Sequence, residues 1–207
     1  MNSSTQDFLL KAETQTEIHP TRKKLIEEAA LTIQEHLKSN KSLTLVYVCT
    51  HNSRRSQFSQ VWSAVLTEKY GLGDKLKSAS AGTEVTACNP RTVASLKRSG
   101  FEVETFDTSE NPVYVCTYGK EAPEIKLWSK TLDDSSIKKP LIAIMTCSDA
   151  DENCPFVPGA LARIRLTYED PKVSDDTPDE AHTYDARSAQ IAGELSFLFE
   201  RLALSLS

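Results

Sequence analysis

Apolar residues recur along the chain with two different periods. From Thr21 to Leu37, the residues Leu25, Ile26, Ala29, Ala30, Ile33 and Leu37 return every three or four positions, which gathers them on one side of a helix. Pro20 suits the first turn of that helix. The run Leu43-Thr44-Leu45-Val46-Tyr47-Val48, ending at Cys49, reads instead as a strand covered on both faces. Helical spacing returns over 56–70 through Phe58, Val61, Trp62, Val65 and Leu66, and Gly71-Leu72-Gly73-Asp74 stops it. A short strand over 76–81 follows, then a helix from Pro90 to Gly100, strands over 141–145 and 164–166, and a last amphipathic helix over 186–204. This alternation predicts an α/β fold with a short, mostly parallel sheet and helices on both faces. Residues 104–139 break the rhythm: Val113–Tyr118 and Glu124–Trp128 flank Gly119–Pro123, the pattern of an inserted β-hairpin. Residues 1–19 hold one apolar pair, Leu9 and Leu10, and read as a flexible arm. The expected organisation is that arm followed by a single domain, 20–207, with an extra helix over 20–40 and the insert over 104–139.

Composition narrows the function classes. The 207 residues carry a net charge of -5, with 24 Lys and Arg against 29 Asp and Glu, which disfavours nucleic acid or an anionic membrane as the main partner. No apolar run approaches the roughly 18 residues of a membrane span, and the polar start, Met1 to Gln6, lacks the order of a secretory signal. A cytoplasmic location is expected. Five cysteines are an odd count in a chain too large to need staples, so reactive thiols explain them better than structural disulfides.

Two stretches carry chemistry. The first is the loop between the 43–48 strand and the 56–70 helix, Cys49-Thr50-His51-Asn52-Ser53-Arg54-Arg55-Ser56. A loop in that position aims successive backbone N–H groups into one concavity at a helix N-terminus, a cradle for a tetrahedral oxyanion. The helix dipole, Arg55 and the Ser56 hydroxyl would favour a thiolate at Cys49, and the planar fork of Arg55 can bridge two oxygens. The plain alternative is a buried thiol at a strand end beside surface charges. The second stretch is Cys147-Ser148-Asp149-Ala150-Asp151-Glu152-Asn153-Cys154-Pro155. Zinc needs four ligands, and the short Cys or His pairs that supply them are missing nearby, so metal binding is not expected. The polar neighbours point to an accessible, mobile segment suited to thiol exchange. Cys88 and Cys116 read as ordinary buried thiols, and His19, His36 and His182 as solvated.

The first loop resembles that of the low-molecular-weight protein tyrosine phosphatase family, which includes the thioredoxin-coupled arsenate reductases. Cys49, Asn52, Arg55 and Ser56 keep the family pattern Cys-X-Gly-Asn-X-Cys-Arg-Ser, while His51 replaces a Gly expected at φ > 0 and Arg54 replaces a second Cys. The segment from Cys147 to Pro155, followed by Pro158, resembles the redox segment of the reductases, which the simple phosphatases lack. Tyr168-Glu169-Asp170-Pro171 resembles the family's acid loop, and Ser80-Ala81-Gly82 and Asn89-Pro90 also match. The likeness spans roughly 43–201 apart from the insert. It implies a three-layer phosphatase-like fold and, as function, reduction of arsenate. In that scheme Cys49 attacks arsenic, the loop 50–56 holds the oxyanion, Asp170 protonates the departing oxygen, and Cys147 and then Cys154 carry a disulfide outward to thioredoxin or a similar dithiol. Asn52 would order the loop, and His51 would add positive charge. Phosphotyrosine or phosphate-ester hydrolysis through Cys49, Arg55 and Asp170 is the alternative. A regulatory module that uses the insert and the N-terminal helix is a third. Gln60 stands where the resemblance puts a Glu at a potassium site, so no metal or cofactor is expected. The insert residues Tyr114, Tyr118 and Trp128 are expected to pack on the sheet.

Overall fold

Strand β1 (Leu43–Cys49) is buried along its whole length, as its unbroken apolar run requires. In the computed structural model, which describes residues 1–153 and 157–206, β1 sits centrally in a four-stranded parallel sheet of order β2-β1-β6-β7. Its neighbours are β2 (Leu76–Gly82) and β6 (Leu141–Met145), and β6 in turn pairs with β7 (Ala160–Arg165). Cys49 lies opposite Gly82, and Val48 opposite Met145. The carboxyl ends of the central strands therefore finish level, and the loops that leave them share one rim, where open α/β sheets bind ligands.

Alternation along β1 divides the interior in two. Leu43, Leu45 and Tyr47 face a large cluster with Phe58, Trp62, Leu66, Leu195 and Phe199, built by α2 (Pro20–Ser39), α3 (Arg55–Lys69) and α6 (Glu180–Leu206). Val46 and Val48 face a smaller cluster with Ala143, Met145, Cys147, Ile137 and Val157. That second face is covered by the short α5 (Ser148–Asn153) and by loop residues, so the two faces are unequally clad. Helix α4 (Pro90–Arg98) lies against α6 and is followed by Gly100 at φ 94.

The insert contains the expected hairpin, β4 (Tyr114–Thr117) paired with β5 (Ile125–Leu127). A further strand, β3 (Glu102–Glu104), joins the outer side of β4 and makes an antiparallel sheet of three. Tyr118 is buried against Phe101, and Phe101 meets Trp62 of α3 edge-on at 5.0 Å, so the insert packs on the main body through aromatic contacts. Tyr114 and Trp128 remain partly exposed.

The N-terminal stretch departs from expectation. Residues 1–19 include a helix, α1 (Ser3–Gln15), where the sequence suggested an arm. Asn2 caps it: its Oδ1 accepts from Thr5 N at 2.8 Å, its Nδ2 donates to Gly100 O at 3.0 Å, and its backbone N donates to Tyr118 O at 2.6 Å. Phe8 stacks on Trp62 at 5.4 Å, and Leu9 and Ala12 are buried while Leu10 points outward. Three apolar contacts on one turn and a half are too few to register as a period. The helix is ordered by the surfaces that α3, α6 and the insert already offer.

Gly193 permits that docking. A Cβ at this position of α6 would lie 2.7 Å from Ala12 O and 2.5 Å from Thr16 Oγ1. In an exposed helix, Gly→Ala stabilises by roughly 1 kcal/mol. Here Gly193→Ala should instead lower stability by about 1–3 kcal/mol through overpacking, read as a lower urea midpoint. A raised midpoint would mean that α1 does not rest on α6.

Candidate functional site

Cys49 closes β1 and is 3% exposed, with its Sγ 3.1 Å from Ser56 Oγ in the first turn of α3. Between them the loop turns its carbonyls outward. Thr50 O accepts from Thr83 N at 2.8 Å and Glu84 N at 2.9 Å, and His51 O accepts from Ser129 Oγ at 2.7 Å. Asn52 O accepts from Gln57 Nε2 at 2.8 Å, and Ser53 O from Asn89 N at 3.0 Å and Thr92 Oγ1 at 3.2 Å. In a trans peptide the next N–H points opposite its carbonyl, so four consecutive outward carbonyls turn the following N–H groups inward. Gly82 lets the loop come this close to β2: a Cβ there would lie 2.7 Å from Thr50 O and 2.8 Å from Asn52 N.

Asn52, and not His51, takes the positive φ, at 46°. Asn tolerates that region, and its side chain repays the conformation: Nδ2 donates to Ser56 Oγ at 2.9 Å and Oδ1 accepts from Lys130 N at 3.0 Å. The imidazole of His51 lies outside, 3.4 Å from Glu84 Oε2, with both groups well exposed. His51 thus faces a carboxylate at the rim and not, as expected, the thiol.

Arg55 uses its fork in two directions. Nη1 donates to Tyr168 O at 3.0 Å and Nη2 to Asp170 Oδ2 at 2.6 Å, while its buried Nε has no protein acceptor among the described residues. Asp170 also caps the 3-10 turn Pro171–Ser174, its Oδ1 accepting from Lys172 N at 3.1 Å. Cys147, at the end of β6, lies on the same rim. Its Sγ is 3.6 Å from Thr50 Oγ1 and accepts from Ala150 N at 3.3 Å, and Thr50 Oγ1 donates to Asp149 Oδ2 at 2.6 Å.

A family model described as low molecular weight phosphotyrosine protein phosphatase matches residues 44–111, which span β1, the loop, α3, β2 and α4. Among curated relatives, arsenate reductase 1 of Staphylococcus saprophyticus is 27% identical over 128 residues, 62% of this chain and 78% of its own length. Arsenate reductase 2 of Staphylococcus epidermidis is 25% identical over the same shares. Residues 44–111 are thus similar to the low-molecular-weight phosphotyrosine phosphatase family, and the curated arsenate reductases are similar over 62% of the chain. Solved structures similar to it include a thioredoxin-dependent arsenate reductase of Corynebacterium glutamicum, 19% identical with a TM-score of 0.47, covering 98% of this chain and 85% of that one. A low molecular weight protein tyrosine phosphatase from T. tengcongensis is 17% identical with a TM-score of 0.46, covering 79% and 99%.

The sequence-predicted residues Cys49, Asn52, Arg55, Ser56, Asp170 and Cys147 come together on one rim. Cys154 lies outside the described residues. Cys147 differs from expectation in one respect: it is fully buried among Val48, Met145 and Ala150, not carried on an accessible segment. Residues 148–153 form α5, and its first turn folds over the thiol. Arg54 leaves the cradle: Nε donates to Tyr184 Oη at 2.8 Å and Nη2 lies 3.4 Å from Asp175 Oδ2, beyond the acid loop. Burial and Asp175 hold the Tyr184 phenol protonated, and its hydroxyl donates to Asp175 Oδ1 at 2.8 Å. Burial pushes the Cys88 thiol up to about 12 and raises Cys116 as well, as befits inert core thiols. Among the described residues, no group of three or more His, Cys, Asp or Glu could hold a metal, and no helix is long and apolar enough to cross a membrane.

Lys130 went unnoticed in the sequence. It is 4% exposed, its Nζ sits 3.9 Å above the Trp128 ring and 3.5 Å from both Ser80 Oγ and Trp128 O, and its backbone N holds Asn52. Ser80 Oγ in turn donates to Gln60 Oε1 at 2.5 Å. The place where the resemblance put a potassium ion thus has a neutral amide for a carboxylate and an ammonium beside it, a poor fit to a bound cation. Nothing in a lone Lys between Ser129 and Thr131 signals this placement.

Burial lowers the Lys130 pKa from 10.5 to about 8. Between those values the unfolded chain holds a proton that the folded chain has released, so this group makes stability rise with pH across that window and costs most below it. The stability difference between wild type and Lys130→Met should therefore grow in favour of wild type by on the order of 3 kcal/mol between about pH 8 and 10.5. A difference that stays flat in urea titrations across that range would refute the buried cation.

Proposed function

We propose that the chain is an arsenate reductase that forms a thiol–arsenic adduct at Cys49 and releases arsenite through a disulfide cascade. The observation that carries this reading is the second thiol: Cys147 Sγ lies against Thr50, the residue next to Cys49. Hydrolysis of a phosphate ester has no use for it.

Arsenate, nearly isosteric with phosphate, enters the cradle and takes its inward N–H groups together with the Nε and Nη2 edge of Arg55. Nη2 is held by Asp170 in the free enzyme, so anion binding exchanges one carboxylate for another acceptor and releases Asp170 toward the departing oxygen. The Cys49 thiol gives up its proton to the freed Asp170 as Sγ attacks arsenic, Asp170 passes that proton to the departing oxygen, and water leaves. Cys147 Sγ then attacks Cys49 Sγ. The electron pair of the S–As bond passes to arsenic, which leaves as arsenite, and a Cys49–Cys147 disulfide forms. Attack of Cys154 on Cys147 returns Cys49 as a thiolate and leaves a Cys147–Cys154 disulfide. Thioredoxin or a similar external dithiol reduces that bond by exchange. A cytoplasmic setting, where thiols are kept reduced, suits this cycle.

Cys49, Arg55 and Asp170 also make up everything that phosphotyrosine or phosphate-ester hydrolysis needs, which supports that activity as the second reading. Cys147→Ser separates the two. The variant should lose thioredoxin-coupled arsenate turnover yet retain para-nitrophenyl phosphate hydrolysis, while Cys49→Ser loses both. Arsenate turnover undiminished in Cys147→Ser would remove the reductase reading. Asp170→Asn should lower kcat of whichever reaction is observed by roughly 10²–10⁴ in steady-state assays, the usual share of a general acid.

A further inference from the structure

The extra N-terminal helix α2 reaches the acid loop through one side chain. Arg22 Nε donates to Glu194 Oε2 of α6 at 2.8 Å, and Nη2 lies 2.7 Å from the same oxygen. The Glu194 side chain is 4% exposed and that of Arg22 19%. The guanidinium carbon of Arg22 stands 4.9 Å from the centre of the Tyr168 ring. Tyr168 is itself buried, its amide N donating to Thr146 O at 3.0 Å and its carbonyl accepting from Arg55 Nη1 at 3.0 Å. A continuous series of contacts therefore runs from α6 through Arg22 and Tyr168 to the arginine of the anion cradle.

We infer that Arg22 is a positioning residue for Arg55: by clamping the Tyr168 ring it fixes the carbonyl that orients the Arg55 fork, which makes α2 part of the anion-binding apparatus. The inference rests on Arg55 as the anion-binding group of the function proposed above. Three features support it. A guanidinium over an aromatic face attracts most when both are removed from water, as here. Nη1 of Arg55 is committed to Tyr168, so the direction in which Nε and Nη2 point depends on where that carbonyl sits. Finally, the burial of Glu194 requires a cation partner, which gives Arg22 a fixed seat from which to press on the ring.

Removing Arg22 alone would strand the Glu194 carboxylate and could unfold the chain, so the comparison is made in the Glu194→Gln background. Glu194→Gln is set against Arg22→Met/Glu194→Gln, with Tyr168→Leu as a second, independent break in the same series. Binding of inorganic phosphate to the full chain is measured by calorimetry, alongside arsenate KM and kcat and the thermal midpoint. The expected result is a phosphate Kd about tenfold weaker in Arg22→Met/Glu194→Gln and in Tyr168→Leu, with KM raised by a similar factor and kcat changed less than threefold. A merely structural role would lower the thermal midpoint and leave the phosphate Kd of the folded protein where it was, and that outcome overturns the inference. Phosphate binding is read without turnover. A wild type that binds phosphate but never reduces arsenate therefore removes the proposed reaction, while the positioning role is still judged on its own measurement.

Discussion

The site depends on the direction of four carbonyl groups. Between Cys49 and Arg55 the chain gives its oxygens to donors outside the loop: the amides of Thr83, Glu84 and Asn89, the hydroxyls of Ser129 and Thr92, and the amide of Gln57. Peptide planarity then leaves the N–H groups no choice but to face one another across a small concavity. No side chain need supply a charge for that concavity to attract an anion, since the amide dipoles and the N-terminus of α3 act together. The donors come from the segment after β2, from α3 and the start of α4, and from the end of the insert. This is why a chain with net negative charge can hold one local anion site: the field is made by backbone fixed in place by the fold, not by surplus cations.

The acid loop is tied to that cradle by arginines. Arg55 holds Tyr168 O and Asp170, and Arg54 reaches Asp175 and Tyr184 at the far side of the turn. Arg91 of α4 adds pairs with Asp176 and Glu180 at 2.6 Å each, the latter at the start of α6. Exposed pairs such as Arg91–Asp176 contribute little energy singly, but a planar fork fixes distance and angle at once. The consequence is a loop around Asp170 that is held against the cradle by several side chains at once. Under the proposed mechanism, Asp170 and an incoming oxyanion would compete for one edge of Arg55, so that binding would free the carboxylate.

Most of this was legible where a local pattern carried it. The apolar run of β1, the strand–loop–helix order around Cys49 and the Asp-Pro at 170–171 each encode their place in the fold within a few residues. The failures share a cause. Helix α1 has too little periodic surface of its own and is ordered by Trp62, the groove along Gly193 and the amide acceptor of Asn2. Lys130, Arg22 and Tyr184 act across separations of 50 to 172 residues in the chain, through partners that no spacing rule names. The replacement of a Gly points to His51 for the positive φ, yet the backbone places that strain on Asn52, whose side chain can bond both ends of the turn. Charged and polar neighbours suggested an open segment at Cys147. Ser148, Asp149 and Glu152 do face water, but Asp151 pairs with Arg163 and Arg165, and the thiol just before α5 is packed inward with Ala150.

Burial of Cys147 carries a consequence for the order of events. A thiol packed among Val48, Met145 and Ala150 is shielded from adventitious oxidants, which in the proposed cycle would keep it reduced until Cys49 had an adduct to displace. Its restraints are few and local: the Ala150 amide, the Thr50 hydroxyl, and a helix of six residues that is far too short to be stable without tertiary support. Thr50 joins both sides of the exchange, following Cys49 in the chain and bonding Asp149 of α5. Any shift of the loop that accompanies an adduct on Cys49 is therefore transmitted directly to the element that covers Cys147. In the proposed cycle the segment would need no separate trigger to open, because the residue that latches it belongs to the loop that would hold the adduct.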